Sequence, residues 1–508
     1  MKPVLTAAET RELDRIAIEV HGIPGILLME HAATAVARRA LALAAPHGRF
    51  VVIAGGGNNG GDGYAAARLL LCEGREASVL AVVPPEQLKG DAALQARILA
   101  SIGGEIRPFE PFAAGPGDVV IDALFGTGLA RPPRGVFAEA IAATHAARAA
   151  GAKVLAVDLP SGISADTGEI LETAVRADAT VTFGALKRGL VCHPGAALAG
   201  EIEVAPISWP PGIVEGLRPA VRLLDDDSVR ALLPTRVVDG HKGTFGHCLV
   251  VAGSIGKTGA GALAGLGALV GGAGLCTVAS RPAALSAIQA HAMELMGHPL
   301  PGEGQLGPDD FEELCRAAEG KDAVLIGPGI PRGEKTGDLL EAFLAEFEGP
   351  VVLDADALNA IAGRAERLRR ARGEVVITPH PGEMARLLGT TAAEVQRDRI
   401  ETARRFALEH GCTVVLKGAG TVVAGPDGQA AVCLAGNPGM ATGGSGDVLG
   451  GLLAGLLAQG IRPADAARAA VQVHARAGDL VRRDRGMAGL VASDLLEGIR
   501  RIWALWNL

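Results

Sequence analysis

Short runs of apolar, largely β-branched residues recur along the chain, and each ends in a cluster of glycine, asparagine, aspartate or proline. Phe50-Val51-Val52-Ile53-Ala54 leads into Gly55-Gly56-Gly57-Asn58-Asn59-Gly60-Gly61-Asp62-Gly63-Tyr64. Similar runs stand at 77–83, 118–123, 153–158 and 179–183, separated by alanine- and leucine-rich stretches of helical character; 9–44 also reads as helical. A run that is apolar at every position belongs to a strand covered on both faces, and strands alternating with helices make a parallel sheet. A second series follows at 247–252, 275–279, 323–326, 351–354, 375–378 and 413–416. The two series are not repeats of each other, and the breaker-rich stretch Trp209–Pro219 between them reads as a linker. At 508 residues the chain is too long for one core. The expectation is an α/β fold in two domains, 1–218 and 222–508.

With only 3% aromatic residues, the cores must be built from Val, Leu, Ile and Ala. A net charge of −8 and the lack of a polybasic run exclude a nucleic-acid backbone as main partner. Seven dispersed cysteines without a Cys-x-x-Cys pair fit reduced thiols, and no secretory signal is visible, so a cytoplasmic setting is expected. Thr258–Ser280 is uncharged and long enough to span a bilayer, yet its seven glycines favour a buried helix, so no membrane role is expected.

In both series the unusual residues stand at the carboxyl ends of the strands, the edge where open α/β sheets bind ligands. Gly55-x-Gly57-x-x-Gly60 matches the dinucleotide fingerprint, but the next strand ends Ala81-Val82-Val83-Pro84-Pro85 without the ribose-binding acid, which argues against an ordinary NAD dehydrogenase. The glycines of 55–63 then read as admitting phosphates to the backbone, so Gly60→Val should weaken binding and spare the fold. Asp122 precedes a second glycine loop, Phe125-Gly126-Thr127-Gly128-Leu129, and Asp158-Leu159-Pro160-Ser161-Gly162 ends the following strand. Oxygens of Asn59, Asp122 and Ser161 are candidates to share a hard cation. In the second series Gly443-Gly444-Ser445-Gly446 leaves backbone N–H groups bare before a helix at 448–457, an anion nest at a helix start. Asp447 beside it reads as a base that takes a proton from a hydroxyl attacking phosphorus. His380 reads as a ligand wall, and Lys417 as a cation able to meet phosphate.

The first set of motifs resembles the epimerase domain of the NAD(P)H-hydrate repair enzymes. The resemblance, which takes in Lys187-Arg188-Gly189-Leu190, implies a Rossmann-like three-layer sandwich. It implies that Asn58, Asn59, Gly60, Gly61 and Asp62, with Gly126, Thr127, Gly128, Leu129, Ala130, Arg131 and Pro132, contact the hydrated nucleotide. Asp158 would be the acid/base group there, and Asn59, Asp122 and Ser161 would ligate potassium. The second set resembles the ribokinase-like ADP-dependent NAD(P)H-hydrate dehydratases. That implies that Ala260, Gly329, His380 and Asp447 contact the hydrate, and that Lys417, Gly418, Ala419, Gly420, Thr421 and Gly446 bind ADP, with Mg2+ accompanying it. Val270-Gly271 stands where that family often has a basic residue. Together the halves imply a homo-oligomeric enzyme that epimerises NADHX and NADPHX and dehydrates the S form at the expense of ADP. Two rivals remain open: a ribokinase-like small-molecule kinase, and a first domain that only binds a dinucleotide.

Overall fold

A computed structural model gives the fold and describes residues 1–331 and 333–508. Two compact units account for the chain, Lys2–Val221 and Arg222–Leu508, the latter with Met1.

The sheet of the N-terminal unit has seven parallel strands in the order Glu105–Pro108, Ala77–Ala81, Phe50–Ala54, Val119–Ala123, Lys153–Val157, Ala179–Phe183, Glu201–Ala205. Both faces are covered, which is why the central strands are mainly apolar. Phe50, Val52, Ile121 and Leu155 enter one core with alanines of the helices Gly25–Leu43 and Asn58–Cys72. Ile53, Val120, Val154 and Ala156 enter the other with Ile141 of the helix Val136–Ala149. Helices on both faces of one sheet make a three-layer sandwich.

Three features depart from the sequence reading. The helix expected over 9–44 is two: Ala7–Arg15 runs into a π-turn, Ile16–Val20, and a new helix begins at Gly25. Pro24 lacks an N–H and disfavours helical backbone at Ile23, while Gly22 takes φ +69°. The outermost strands, Glu105–Pro108 and Glu201–Ala205, are half-exposed and polar, so they carry no continuous apolar run. Trp209, placed in the linker, instead donates its indole N–H to Asp14 Oδ1 at 3.0 Å.

The C-terminal unit holds Met296–Pro299, Leu275–Ser280, His247–Val251, Ala323–Ile326, Val351–Leu353, Val375–Ile377 and Thr413–Leu416 as successive parallel neighbours. Thr421–Ala424 and Ala430–Cys433 extend the sheet antiparallel, so Lys417–Gly420 forms a hairpin turn rather than a strand-to-helix loop. On one face the helices Thr258–Val270 and Ser445–Ala458 pack backbone against backbone. A Cβ at Gly451 would overlap the Ala264 carbonyl, and one at Gly455 the Ala268 carbonyl. The uncharged 258–280 is thus an interior helix followed by a strand. Among the described residues no helix is long and apolar enough to cross a membrane.

Candidate active sites

The N-terminal strand order reverses between Phe50–Ala54 and Val119–Ala123, and the two glycine loops leave the sheet on either side of that point. Such a reversal opens a crevice at the strand ends. A cavity of about 610 Å3 lies there. Asn58, Asn59, Asp62, Gly126, Thr127, Gly128, Leu129 and Asp158 line it, whereas Gly60, Gly61, Ala130, Arg131 and Pro132 are not among its lining residues.

The glycines of the first loop answer mostly to the protein itself. A Cβ at Gly60 would fall far inside contact distance of the Gly55 carbonyl oxygen, and one at Gly55 would overlap the Leu124 carbonyl. At Gly61 it would press on Met29, and at Gly63 it would lie 2.6 Å from the Ala123 Cβ. Only Gly57 faces open space within this set. The expectation that Gly60→Val spares the fold is therefore corrected: Gly60 is a site of backbone–backbone packing.

Asp158 follows its strand with φ +66°, a conformation a non-glycine residue adopts at a cost of roughly 1–3 kcal/mol and keeps only where surroundings demand it. Its Oδ1 meets Lys187 Nζ at 2.7 Å and accepts from Thr182 Oγ1 at 3.0 Å. Lys187 is 1% exposed and also donates to the Phe183 carbonyl at 2.8 Å. Neither Lys187 nor Thr182 stood out as a site residue in the sequence. The available signal was a lysine inside the apolar run Ala185-Leu186-Lys187. Asp14 and Trp209 also line the cavity, though nothing in their sequence context marks them.

Asp122 and Ser161 lie outside the cavity lining. Asp122 is fully buried; it accepts from Ser161 N at 2.8 Å, Ser161 Oγ at 2.6 Å and Leu124 N at 3.3 Å. Among the described residues no side-chain cation pairs with it, and burial pushes its pKa up to about 6 against those hydrogen bonds. Asn59 is buried with its amide nitrogen unpartnered. Its Oδ1 lies 3.1 Å, and Asp158 Oδ2 3.2 Å, from where a Cβ on Gly126 would stand.

In the C-terminal unit the strand order reverses between His247–Val251 and Ala323–Ile326. There Gly253 N donates to the Pro328 carbonyl at 2.8 Å, and Gly329, at φ +67°, backs onto Ala260: a Cβ on it would lie 2.9 Å from the Ala260 Cβ and 3.2 Å from the Lys257 Cβ. Lys257 reaches Asp356 at 3.1 Å. Lys417 binds Asp354 at 2.7 Å and lies 4.0 Å from Glu383, so the lysine expected to face phosphate is already paired. Burial works against its ammonium, but Asp354 and Glu383 outweigh it and leave the pKa above the usual lysine value. Ala355, between the two aspartates, takes φ +50°.

The helix behind the second glycine loop runs from Ser445 to Ala458, earlier than the sequence indicates, and places Asp447 in its first turn. A Cβ on Gly443 would meet nothing and one on Gly446 only Lys417 Nζ at 3.5 Å, whereas Gly444, at φ +91°, backs onto Leu263 and Ala492, so this nest is open at its outer glycines and packed between them. Burial, then Asp354, pushes the Asp447 carboxyl up to about 6 while Lys417 pulls it down. Among the described residues it has no hydrogen-bond partner, as a base awaiting substrate requires. His380 caps the helix Pro381–Leu388: its Nδ1 accepts from Gly382 N at 3.0 Å and Glu383 N at 3.3 Å. Burial, then Lys417 and Arg386, lower its pKa, and an Nδ1 that accepts from two backbone N–H groups carries no proton of its own. His474, unremarked in the sequence because it sits mid-helix, binds the Ser445 carbonyl at 3.0 Å and braces the nest. Thr421 Oγ1 closes the Lys417–Gly420 turn on the Gly418 carbonyl at 2.8 Å.

A family profile described as NAD(P)H-hydrate dehydratase matches residues 248–501, and one described as YjeF-related protein N-terminus matches 26–189. The chain is 42% identical to the bifunctional NAD(P)H-hydrate repair enzyme Nnr of Moorella thermoacetica, over 97% of this chain and 95% of that one. It is 36% identical to the Escherichia coli Nnr, over 98% and 93%. Among solved structures, an ADP/ATP-dependent NAD(P)H-hydrate dehydratase of Bacillus subtilis, co-crystallised with ATP and Mg2+, is 33% identical with a TM-score of 0.50, covering 56% of this chain and 99% of that one. Motifs, folds and end-to-end similarity agree: the chain belongs to the family of bifunctional NAD(P)H-hydrate repair enzymes.

Proposed function

We propose that residues 1–218 epimerise the hydrates of NADH and NADPH and that 222–508 dehydrate the S epimer at the expense of ADP. The observation that carries this reading is the similarity to bifunctional repair enzymes over 97% of the chain, with a ligand-type sheet edge in each half. Hydration of a dihydronicotinamide ring gives both epimers at the hydrated carbon, so an epimerase keeps supplying a dehydratase that accepts one. In the first site Asp158, held by Lys187 and Thr182, exchanges protons at the reacting carbon's hydroxyl. Asn58, Asn59, Asp62 and Gly126–Leu129, which line the cavity, hold the nucleotide, and Gly60, Gly61 and Ala130–Pro132 complete the two loops.

Potassium would be held at Asp122. Asp122 is a buried carboxylate without a cationic partner among the described residues, 2.6 Å from the Ser161 hydroxyl, and these two with the Asn59 amide oxygen would supply an all-oxygen donor set. Bound there, the ion would neutralise Asp122 and order the two loops.

In the second site Ala260, Gly329 and His380 flank the hydrate, while Lys417–Thr421 and Gly446 receive ADP. Asp447 takes the proton of the ring hydroxyl as its oxygen attacks the terminal phosphorus, and AMP departs. The phosphate ester then leaves as inorganic phosphate with loss of the neighbouring C–H proton, which restores the reduced nicotinamide. No cluster of three His, Cys, Asp or Glu arranged to hold a metal occurs among the described residues. Magnesium would be held chiefly by nucleotide phosphates and water, as is usual for that ion. The enzyme would work in the cytoplasm as a homo-oligomer.

The test is to incubate the protein with both hydrate epimers and ADP or ATP. Return of the full reduced-nicotinamide absorbance supports both activities, and return of half supports dehydration alone. A stable phosphorylated product would instead make the second unit a kinase.

A further inference from the structure

Two of the four carboxyls lining the N-terminal cavity stand under opposite conditions. Asp158 is paired with Lys187 and Thr182. Asp62, in the helix Asn58–Cys72 one turn beyond Asn58, is only 8% exposed, and among the described residues its carboxyl has neither a hydrogen-bond nor an ion-pair partner. Lys187 cannot turn to it, because its three N–H groups already serve Asp158, Thr182 and the Phe183 carbonyl. The other charged groups lining the cavity are Arg11, Asp14 and Asp91. Burial, reinforced by Asp158 and Asp14 and opposed by Lys187, pushes the Asp62 pKa well above the carboxylate range. A buried carboxyl without a partner costs the fold and contributes nothing to it. An unpartnered buried carboxyl beside one held by a lysine and a hydroxyl gives the cavity two carboxyls suited to different roles in proton transfer.

The geometry points to Asp62 as the general acid of the epimerase, acting in the cavity that the Asp158 carboxylate also lines. This inference rests on the epimerase reading of the N-terminal unit. The Asp62 O–H proton passes to the hydroxyl on the hydrated ring carbon. The C–O bond breaks, water leaves, and the ring nitrogen's lone pair moves into the N–C bond. Water then adds to the opposite face: its oxygen forms the new C–O bond, the N–C pair returns to nitrogen, and Asp158 takes the proton. Asp62 is left ionised and Asp158 protonated, which is the state that runs the same steps backwards for the other epimer.

The experiment compares wild type, Asp62→Asn and Asp62→Leu without ADP. It follows epimer interconversion by chromatography across pH, affinity for the hydrate, and the melting curve as a folding control, with dehydratase turnover on the S epimer as a check on the second site. Interconversion is expected to fall by about 10²–10⁴-fold in both variants. Affinity should hold in Asp62→Asn, and the loss of rate that wild type shows at high pH should be absent from its residual activity. Wild type turning over in ¹⁸O-water should label the ring hydroxyl. Unchanged interconversion in Asp62→Asn, a fall matched by lost affinity, or an unlabelled product would each overturn the inference. If wild type fails to interconvert the epimers, the epimerase reading falls and Asp62 with it; a normal wild type with an unaffected Asp62→Asn removes Asp62 alone.

Discussion

Gly57, at the cap of the helix Asn58–Cys72, and Gly60, in its first turn, stand three positions apart and should fail differently when changed. A methyl group at Gly60 meets the Gly55 carbonyl, whereas at Gly57, with φ −102°, it meets nothing. Gly60→Ala is expected to destabilise the N-terminal unit by roughly 1–3 kcal/mol, the usual cost of overpacking. Gly57→Ala should melt as wild type does but bind the hydrate more weakly; a Gly60→Ala melting curve equal to wild type would refute the packing account. Asp122 offers a second prediction at this scale. Its pKa rises from 3.8 unfolded to about 6 folded, so between those values the folded state binds more protons and stability falls as pH rises. Above both values the cost is on the order of 3 kcal/mol. A cation that neutralises the carboxylate offsets that cost only where it is ionised. Potassium chloride should therefore raise the melting temperature over tetramethylammonium chloride above pH 7, and the gain should vanish below about pH 5. Equal melting in both salts at every pH would remove the cation from this site.

Two helices packed backbone to backbone support the second site, and their glycines invert an ordinary rule. Gly→Ala inside a helix normally stabilises by up to about 1 kcal/mol. At Gly451 and Gly455 the new methyl would overlap the Ala264 and Ala268 carbonyls, so the helix bearing Asp447 must shift. Gly451→Ala is expected to lower stability by about 1–3 kcal/mol and to reduce dehydratase turnover by more than it changes ADP affinity. A stabilised variant would show that the helices can separate freely. At this scale the sequence was legible wherever one element determines its own pattern: strands buried on both faces are mainly apolar, and motifs at their ends mark the edge where ligands bind. What depends on a partner distant in sequence was not legible. Nothing in Gly-Asn-Asn-Gly-Gly shows that Gly60 is reserved for the Gly55 carbonyl. Trp209 reads as linker because Asp14, its partner, lies 195 positions away. Lys417 reads as a free cation because Asp354 is on another strand. The half-exposed edge strands escape because their burial does not impose a run.

For the whole molecule, repair succeeds only if two chemistries meet on one substrate, yet each has its own sheet edge, its own glycine loops and its own aspartate. The reactions should therefore be separable by a single substitution. Asp447 is the place to make it, since its carboxyl, pushed up to about 6, is mostly ionised at neutral pH and ready to accept a proton. Dehydratase turnover in wild type should accordingly rise with pH through about 6 and level off above it, because only the ionised carboxylate can serve as base. Asp447→Asn keeps the shape and the place in the first helical turn but cannot take the proton. ADP-dependent recovery of NADH is expected to fall by about 10²–10⁴-fold, with nucleotide affinity unchanged or improved as a negative charge leaves the nest. Interconversion of the hydrate epimers should continue at the wild-type rate in the same preparation, so either epimer would come to the equilibrium mixture with little of it converted onward. Full dehydratase turnover in Asp447→Asn would exclude this residue as the base. Loss of both activities in a variant that still melts cooperatively would mean that the epimerase depends on the state of the second site, and that the two halves do not act independently.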